Sequence, residues 1–400
     1  MSTPAPALRM GEFIALIALM TSLVALSIDA MLPALPEIGA DLGARGPNDA
    51  QLVVSSLLLG LGVGQLFYGP LSDSIGRKPT IYIGFVLFLA GCALSLLADD
   101  FATMLAGRVL QGFGAAGPRI VTIALVRDQY HGREMARVMS FVTSVFILVP
   151  ALAPAAGQGV MLVAGWRAIF AAFFAIASVA VIWFAFRQPE TLAVDRRVPL
   201  SATGVLRSVG EVVRIRVAIG NTVAAGFVFA AFIGYLSSAQ QIFQETYDLG
   251  RAFPLFFGAL ALCIGIGSLI NARLVMRYGM QHLSTVALVG FIALSVAFMA
   301  FAAGYNGVPP LGAFMVWGGC AFFCIGILFG NLNAMAMEPL GHIAGVGAAV
   351  VGSVSTVISV PIGALIGQAY DGTVLALVGG FAVFGALALL AMRTIAKGAD

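Results

Sequence analysis

Charge is scarce in this chain: of 400 residues only 10% are Asp, Glu, Lys or Arg, against 60% hydrophobic residues and a mean hydropathy of +1.01. A water-soluble domain of this length needs far more polar surface, so lipid is the implied solvent. Cysteine is also sparse, with Cys92, Cys263, Cys320 and Cys324 all inside apolar runs. No His or Cys cluster accompanies them, which argues for reduced packing residues and against a metal centre. The three histidines, His131, His282 and His342, sit near polar connections, where they are badly placed to carry a proton across a bilayer. A phosphate-binding P-loop is missing too, so direct ATP drive is not expected. These absences leave neither an enzyme nor a cofactor protein as the expectation.

What the chain does have is apolar runs of membrane-spanning length, about 20 residues each. They fall near 11–33, 51–71, 79–98, 101–124, 136–163 and 166–187, then near 216–241, 252–275, 283–304, 308–335, 343–368 and 373–395. The expected fold is an all-α integral membrane protein with twelve transmembrane helices. Between the two sets lies 188–215, the long polar connector, rich in Arg and interrupted by Pro189 and Pro199. The expected organisation is an N-terminal six-helix bundle over 1–187, a linker over 188–215 and a C-terminal bundle over 216–400.

Most of the 21 Lys and Arg residues fall on one side if the N-terminus is cytoplasmic, with only Arg45, Arg167 and Arg251 on the other. The positive-inside rule then places both termini in the cytoplasm. The net charge of +3 thus reflects topology and not nucleic-acid binding. The apolar stretch after Gly11 is too long for a cleavable signal peptide and lacks a clear small-residue site.

One connection carries more information than the rest. Gly69-Pro-Leu-Ser-Asp-Ser-Ile-Gly-Arg-Lys-Pro79 joins the second and third spans and packs Asp73, Arg77 and Lys78 into a short turn. The second set holds a weaker copy, Asn271-Ala-Arg-Leu-Val-Met-Arg-Tyr-Gly279. Aligning Gly279 with Gly76 puts Met276 opposite Asp73, so the second copy has kept its glycine and lost its acid.

The turn resembles the loop 2-3 signature of the major facilitator superfamily of secondary transporters. Further stretches narrow the resemblance: Ser27-Ile-Asp-Ala-Met-Leu-Pro-Ala-Leu-Pro36, Arg108-Val-Leu-Gln-Gly-Phe-Gly114, Val126-Arg-Asp-Gln-Tyr-His-Gly-Arg133, Gly165-Trp-Arg-Ala-Ile-Phe170 and Pro189-Glu-Thr-Leu192. Together they are similar to the Bcr/CflA group, named for bicyclomycin and chloramphenicol resistance. The resemblance implies the major facilitator fold, two pseudo-symmetric six-helix bundles, working as a proton-coupled drug antiporter in the bacterial inner membrane. Its partners would be a small-molecule drug or metabolite, protons and the lipid bilayer, and it would function as a monomer.

Asp29 is the carboxylate placed well inside a span, where an ionisable group is costly unless paired, solvated or neutralised. At ~1.5 Å per residue it lies about 10 Å beyond the span centre, and Arg108 of the fourth span lies roughly 6 Å to the same side. In the family architecture both spans face the cavity, so a switchable Asp29–Arg108 interaction would handle the proton. The alternatives are that Asp29 merely positions a helix end near Pro33, and that Arg108 is neutralised by Gln65 or Gln111. Arg119 lies eleven residues after Arg108, nearly on the same face, and either extends a basic track or snorkels toward the cytoplasm.

In the turn, Gly69, Asp73, Gly76, Arg77 and Lys78 are gating candidates. Asp73 would meet the positive dipole end of the eleventh span near 341–345, and Arg77 and Lys78 would pair with acids such as Asp128. The alternative is that they are only topology anchors. Pro150, Pro154 and Gly157 resemble the superfamily's antiporter motif but depart from G-x-x-x-G-P, and they serve as a hinge or as a packing kink. Asn221, Tyr235, Gln240, Trp317, Asn331 and Asn333 are candidate cavity residues, although membrane amides more often bond between helices. The expected activity is proton-coupled efflux of small amphipathic drugs, multidrug or phenicol and bicyclomycin type. The alternatives are a secondary transporter of a natural metabolite, such as an amino acid or sugar, and a non-transporting membrane receptor.

Overall fold

The structure, a computed structural model, describes residues 8–46, 48–200 and 209–395. Twelve long helices run through these residues: α1 Met10–Asp29, α2 Leu52–Ile75, α3 Arg77–Leu96, α4 Phe101–Gln129, α5 Gly132–Ala164, α6 Arg167–Arg187, α7 Arg216–Leu236, α8 Phe253–Tyr278, α9 Met280–Ala303, α10 Leu311–Met337, α11 Ala344–Gln368 and α12 Leu375–Leu390. Eleven of these stretches are long and apolar enough to cross a membrane, and α5 contributes the shorter apolar stretch Leu148–Ala164. Large apolar side chains such as Phe67, Val86, Ile182, Leu269, Val316 and Leu365 are exposed along their flanks. That surface is stable only in lipid, where each helix satisfies its backbone internally.

Helices of each half pack mainly on one another. α2 packs on α4, α3 on α4 and α6, and α1 on α5, while α8 packs on α10, α9 on α10 and α12, and α7 on α11. The second set repeats the first at an offset of six helices, which is the mark of two pseudo-symmetric bundles. Contact between the bundles runs along two seams, α2 with α11 and α5 with α8. In the α5–α8 seam a Cβ on Gly258 would press on the Ala151 carbonyl, so the backbones approach closely.

The internal repeat is also visible in the backbone. Gly76 ends α2 with φ 109° and ψ 163°, and Gly279 ends α8 with φ 76° and ψ 157°. Both turns need a left-handed φ that costs a side-chain-bearing residue about 1–3 kcal/mol, so the glycine survives where the acid does not. At Gly76 a Cβ would also strike the Glu190 carboxylate, whereas Gly279 faces open space. Alanine at Gly76 is therefore expected to lower the thermal stability of the detergent-solubilised protein more than alanine at Gly279.

Two helix ends differ from the sequence expectation. α1, expected to reach residue 33, stops at Asp29 and gives way to a 3-10 turn at Leu32–Ala34 and a short helix at Leu35–Asp41. The cause is Pro33, which has no N–H for the Asp29 carbonyl and whose ring would clash with it. α7, expected to reach residue 241, stops at Leu236 before a short helix at Ala239–Gln241. Here the Ser238 hydroxyl takes the Gly234 carbonyl at 2.9 Å. The first helix of each bundle is thus broken on the side away from the N-terminus, called the far side below. α4 begins more sharply: Asp100 caps it, accepting from the Thr103 N–H at 2.9 Å and its hydroxyl at 2.6 Å. These donors hold the Asp100 carboxyl below its usual range.

Candidate functional site

Between the bundles lies a cavity of about 330 Å³, a size that holds a small organic molecule. Asp29 of α1, Gln65 of α2, Arg119 of α4, Pro150 of α5, Tyr235 of α7 and Asn333 of α10 all line it. Most of the remaining wall is apolar and aromatic. Phe229 and Phe232 meet Phe329 edge-on with ring centroids 5.6 and 5.8 Å apart, and Phe322 meets Phe232 at 6.0 Å. Cavity residues come from both halves, so any relative movement of the bundles reshapes it.

Asp29 is 4% exposed and is the last residue of α1. Among the described residues it has no ion pair and no side-chain hydrogen bond, and it lies within electrostatic range of Tyr235. The phenol of Tyr235 is itself buried without a hydrogen-bond partner among the described residues. A carboxylate so placed in an apolar wall requires a proton, a cation or a moving partner.

Arg108 does not supply that partner here, and the expected Asp29–Arg108 contact is not formed. Arg108 is fully buried and instead donates to the carbonyl of Val53 at 3.1 Å, the carbonyl of Ser27 at 2.7 Å and the Gln111 side chain at 2.5 Å. The Ser27 carbonyl is one of those left without an intrahelical donor where α1 breaks. The guanidinium therefore caps α1 two residues before Asp29 and ties it to α2 and α4. From the other side, α5 approaches the same break so closely that a Cβ on Gly157 would enter the Ala30 carbonyl. Leucine at Gly157 is expected to force α5 off α1 and cost about 1–3 kcal/mol, read as a loss of thermal stability in detergent.

Other candidates separate. Arg119, Tyr235, Asn333 and Pro150 line the cavity, while Pro154 lies one turn along α5. Asn331 exchanges two hydrogen bonds with Asn271 at 2.8 and 3.0 Å inside the second bundle, and Asn221 donates to Val217. Trp317 is stacked on Phe298 at 5.1 Å and packs against Phe381, away from the cavity lining. Gln240 belongs to the far-side contact between bundles, accepting from Gln51 at 3.1 Å. Cys320, expected to be a packing residue, is exposed on the flank of α10.

The turn after α2 is a charge network. Arg77 pairs with Asp73 one helical turn earlier and with Asp128 at the end of α4, 3.0 Å away. Lys78 donates to the Ala185 carbonyl at 2.8 Å. The unforeseen member is Glu190, whose carboxylate accepts from the backbone N–H groups of Arg77 at 3.0 Å and Lys78 at 2.9 Å, capping α3. Its sequence signal was present in Pro189-Glu-Thr-Leu192, without a stated partner. Gly69 faces Ala349 of α11, so this end of α2 adjoins the second bundle. The side chains at 342–345, where Asp73 was expected to dock, lie outside the described residues.

Sequence reasoning also missed a polar seal on the far side. Asn48 donates to the carbonyls of Gln368 and Tyr370, both at 2.9 Å, and accepts from the Gln241 amide at 2.7 Å. Gln368 returns a bond to the Asn48 carbonyl at 2.9 Å. Alanine at Asn48 removes three of these four bonds, each worth about 1 kcal/mol net. A cysteine placed at Phe232, in a chain with its four native cysteines replaced, is then expected to react several-fold faster with an impermeant maleimide from the far side.

Two helical bundles around a shared, partly charged cavity, with the first helix of each broken beside it, define the build of a secondary transporter. The sequence pattern of the Major Facilitator Superfamily matches residues 17–364, and the chain belongs to that superfamily. It is 29% identical over 355 residues to an uncharacterized MFS-type transporter, YdgK, of Bacillus subtilis, covering 88% of this chain and 87% of that one. It is 28% identical to a bicyclomycin resistance protein homolog of Haemophilus influenzae, covering 88% of both. The fold matches the xylose transporter XylE of E. coli in a partially occluded inward-open conformation, with a TM-score of 0.72 at 13% identity over 95% of this chain and 96% of that one. The protein is a multi-pass membrane transporter and not an enzyme.

Proposed function

We propose that this transporter exports small amphipathic drugs, of multidrug or phenicol and bicyclomycin type, in exchange for protons. The observation that carries the reading is Asp29: a buried carboxylate without a partner among the described residues, on the wall of a cavity shared by both bundles. Protonation neutralises it, and the proton competes with cargo for the same space through charge or conformation. Arg108 holds the helix end that presents Asp29, so a movement of α4 against α1 alters the surroundings of the carboxylate. The relative named for bicyclomycin resistance supports the drug class.

Alternating access is read from the two seams. The far-side amide contacts close one entrance, and the α2–α11 and α5–α8 seams hold the bundles together nearer the centre. The Asp73–Arg77–Asp128 network and its Glu190 cap are read as the gate on the N-terminal side, which the positive-inside rule assigns to the cytoplasm of a bacterial inner membrane. The units acting against each other are 1–187 and 216–400, and a monomer contains the whole cavity.

The test is proton flux in proteoliposomes carrying the purified chain and a pH dye. Phenicols, bicyclomycin or cationic dyes are expected to trigger proton movement, and amino acids and sugars are not. Flux with amino acids or sugars alone would make the protein a metabolite transporter, and flux with nothing would remove transport by proton exchange. Alanine at Asp73 is expected to slow transport severalfold and to increase labelling from the N-terminal side; unchanged values for both would reduce the turn to a topology anchor.

A further inference from the structure

The cavity contains a second charge that proton handling does not use. Arg119 lines it, half-buried, and among the described residues its guanidinium has neither an ion pair nor a hydrogen bond. Each of the three guanidinium nitrogens of Arg108, on the same helix, donates to a carbonyl or amide acceptor, so the contrast is chemical and not merely positional. A second polar group faces the same cavity. Gln65 of α2 is 4% exposed, lines the same cavity and has no side-chain hydrogen bond among the described residues. Its amide is open to the cavity, where a ligand can take the hydrogen bonds that no described residue does.

Gln65 and Arg119 lie at matching depth. Each is about 15 Å from the N-terminal-side end of its helix, at ~1.5 Å per residue, and α2 packs directly on α4. Asp29 lies roughly 15 Å farther toward the far side by the same rise. Between the two ends the wall is the ring cluster of Phe229, Phe232, Phe322 and Phe329. The slot is therefore polar and cationic at one end, aromatic along its length and carboxylic at the other.

We infer that Gln65 and Arg119 form an anchor for an anionic acceptor group, and that among the amphipathic cargoes of this cavity the aromatic ones bearing a carboxylate or a group of similar acceptor geometry are held most tightly. The inference rests on reading this cavity as the transport site. A guanidinium presents a planar fork that matches a carboxylate, and a neighbouring amide N–H completes the set of donors. The ring cluster takes the aromatic body by edge and face contacts. A cationic aromatic of the same size would place its charge against Arg119 or reverse itself toward Asp29, losing the anchor.

Three probes of one shape separate these outcomes: naphthoate, naphthamide and naphthylmethylammonium, titrated calorimetrically into the purified full-length protein in detergent. Naphthoate is expected to bind roughly tenfold more tightly than naphthylmethylammonium, with naphthamide between them. Arg119→Gln is expected to collapse the ratio to near one. Arg119→Lys keeps its sign, and Gln65→Leu weakens naphthoate alone. Unchanged thermal unfolding of Arg119→Lys guards against a folding artefact. Equal or tighter binding of the ammonium probe to the unmodified chain overturns the inference, as does a naphthoate preference that survives Arg119→Gln. The two readings fail separately: phenicol-triggered proton flux without anion preference sinks only the anchor, and Arg119-dependent naphthoate binding without any proton flux sinks only the exchange.

Discussion

Asparagine at Asp29 is expected to abolish proton-driven transport while leaving the protein folded. The amide is nearly isosteric with the protonated acid and carries no exchangeable charge, so the cavity is locked in the equivalent of its protonated form. Because Asp29 has no ion pair among the described residues, nothing is orphaned by the change. Stability is thus expected to stay within about 1 kcal/mol of the unmodified protein or to rise, since a buried carboxylate is relieved. In proteoliposomes, cargo-triggered proton flux should fall to background, while neutral cargo still binds within about threefold of its original affinity, a difference below 1 kcal/mol. Glutamate at the same position keeps the proton but moves it by one methylene, so partial coupling is expected. Full coupling in Asp29→Asn would transfer the proton to another group and leave Asp29 as a helix-end residue.

Alanine at Arg108 is expected to do the reverse, damaging the fold first and transport through it. Its removal strands the Ser27 carbonyl, the Val53 carbonyl and the Gln111 side chain, all inside the first bundle. With about 1 kcal/mol or more for each unsatisfied buried acceptor, the loss is about 3 kcal/mol. Lysine retains the charge but cannot reach three acceptors on three helices with one ammonium, so it is expected to rescue little. Thermal unfolding in detergent reads this directly. If Arg108→Ala melts like the unmodified protein yet loses proton flux, Arg108 acts on the proton itself and not through the helix end.

These two variants separate roles that the spacing of Asp29 and Arg108 had merged. Similar depth along two helices suggested an ion pair, but the direction of a long side chain is not contained in its depth. The turn at 69–79 shows the same division. Its charges and glycines mark a short hairpin, yet Glu190, more than a hundred residues away, caps α3 there and fills the space beside Gly76. Asn331 and Trp317 could be placed on the right helix but not on the right face, because α10 is apolar almost all round and offers no polar stripe to orient it. Asn48 falls outside the expected spans and Gln241 and Gln368 are the last residues of two of them, and only the meeting of the bundles joins them into a seal.

The sequence by itself determined the solvent, the number of helices, their order and the internal repeat, because lipid demands long apolar runs and a left-handed turn demands glycine. Pro33 was legible too, although its effect of ending α1 at Asp29 became clear only with the helix built. The tertiary structure alone decided which polar groups are satisfied and which are left facing the cavity. Satisfaction depends on carbonyls supplied by other helices, and those carbonyls have no signature in the amino-acid sequence. That is why Arg108 proved to be a cap engaged through all three of its nitrogens, while Asp29, Gln65 and Arg119 have no side-chain partners at the wall among the described residues.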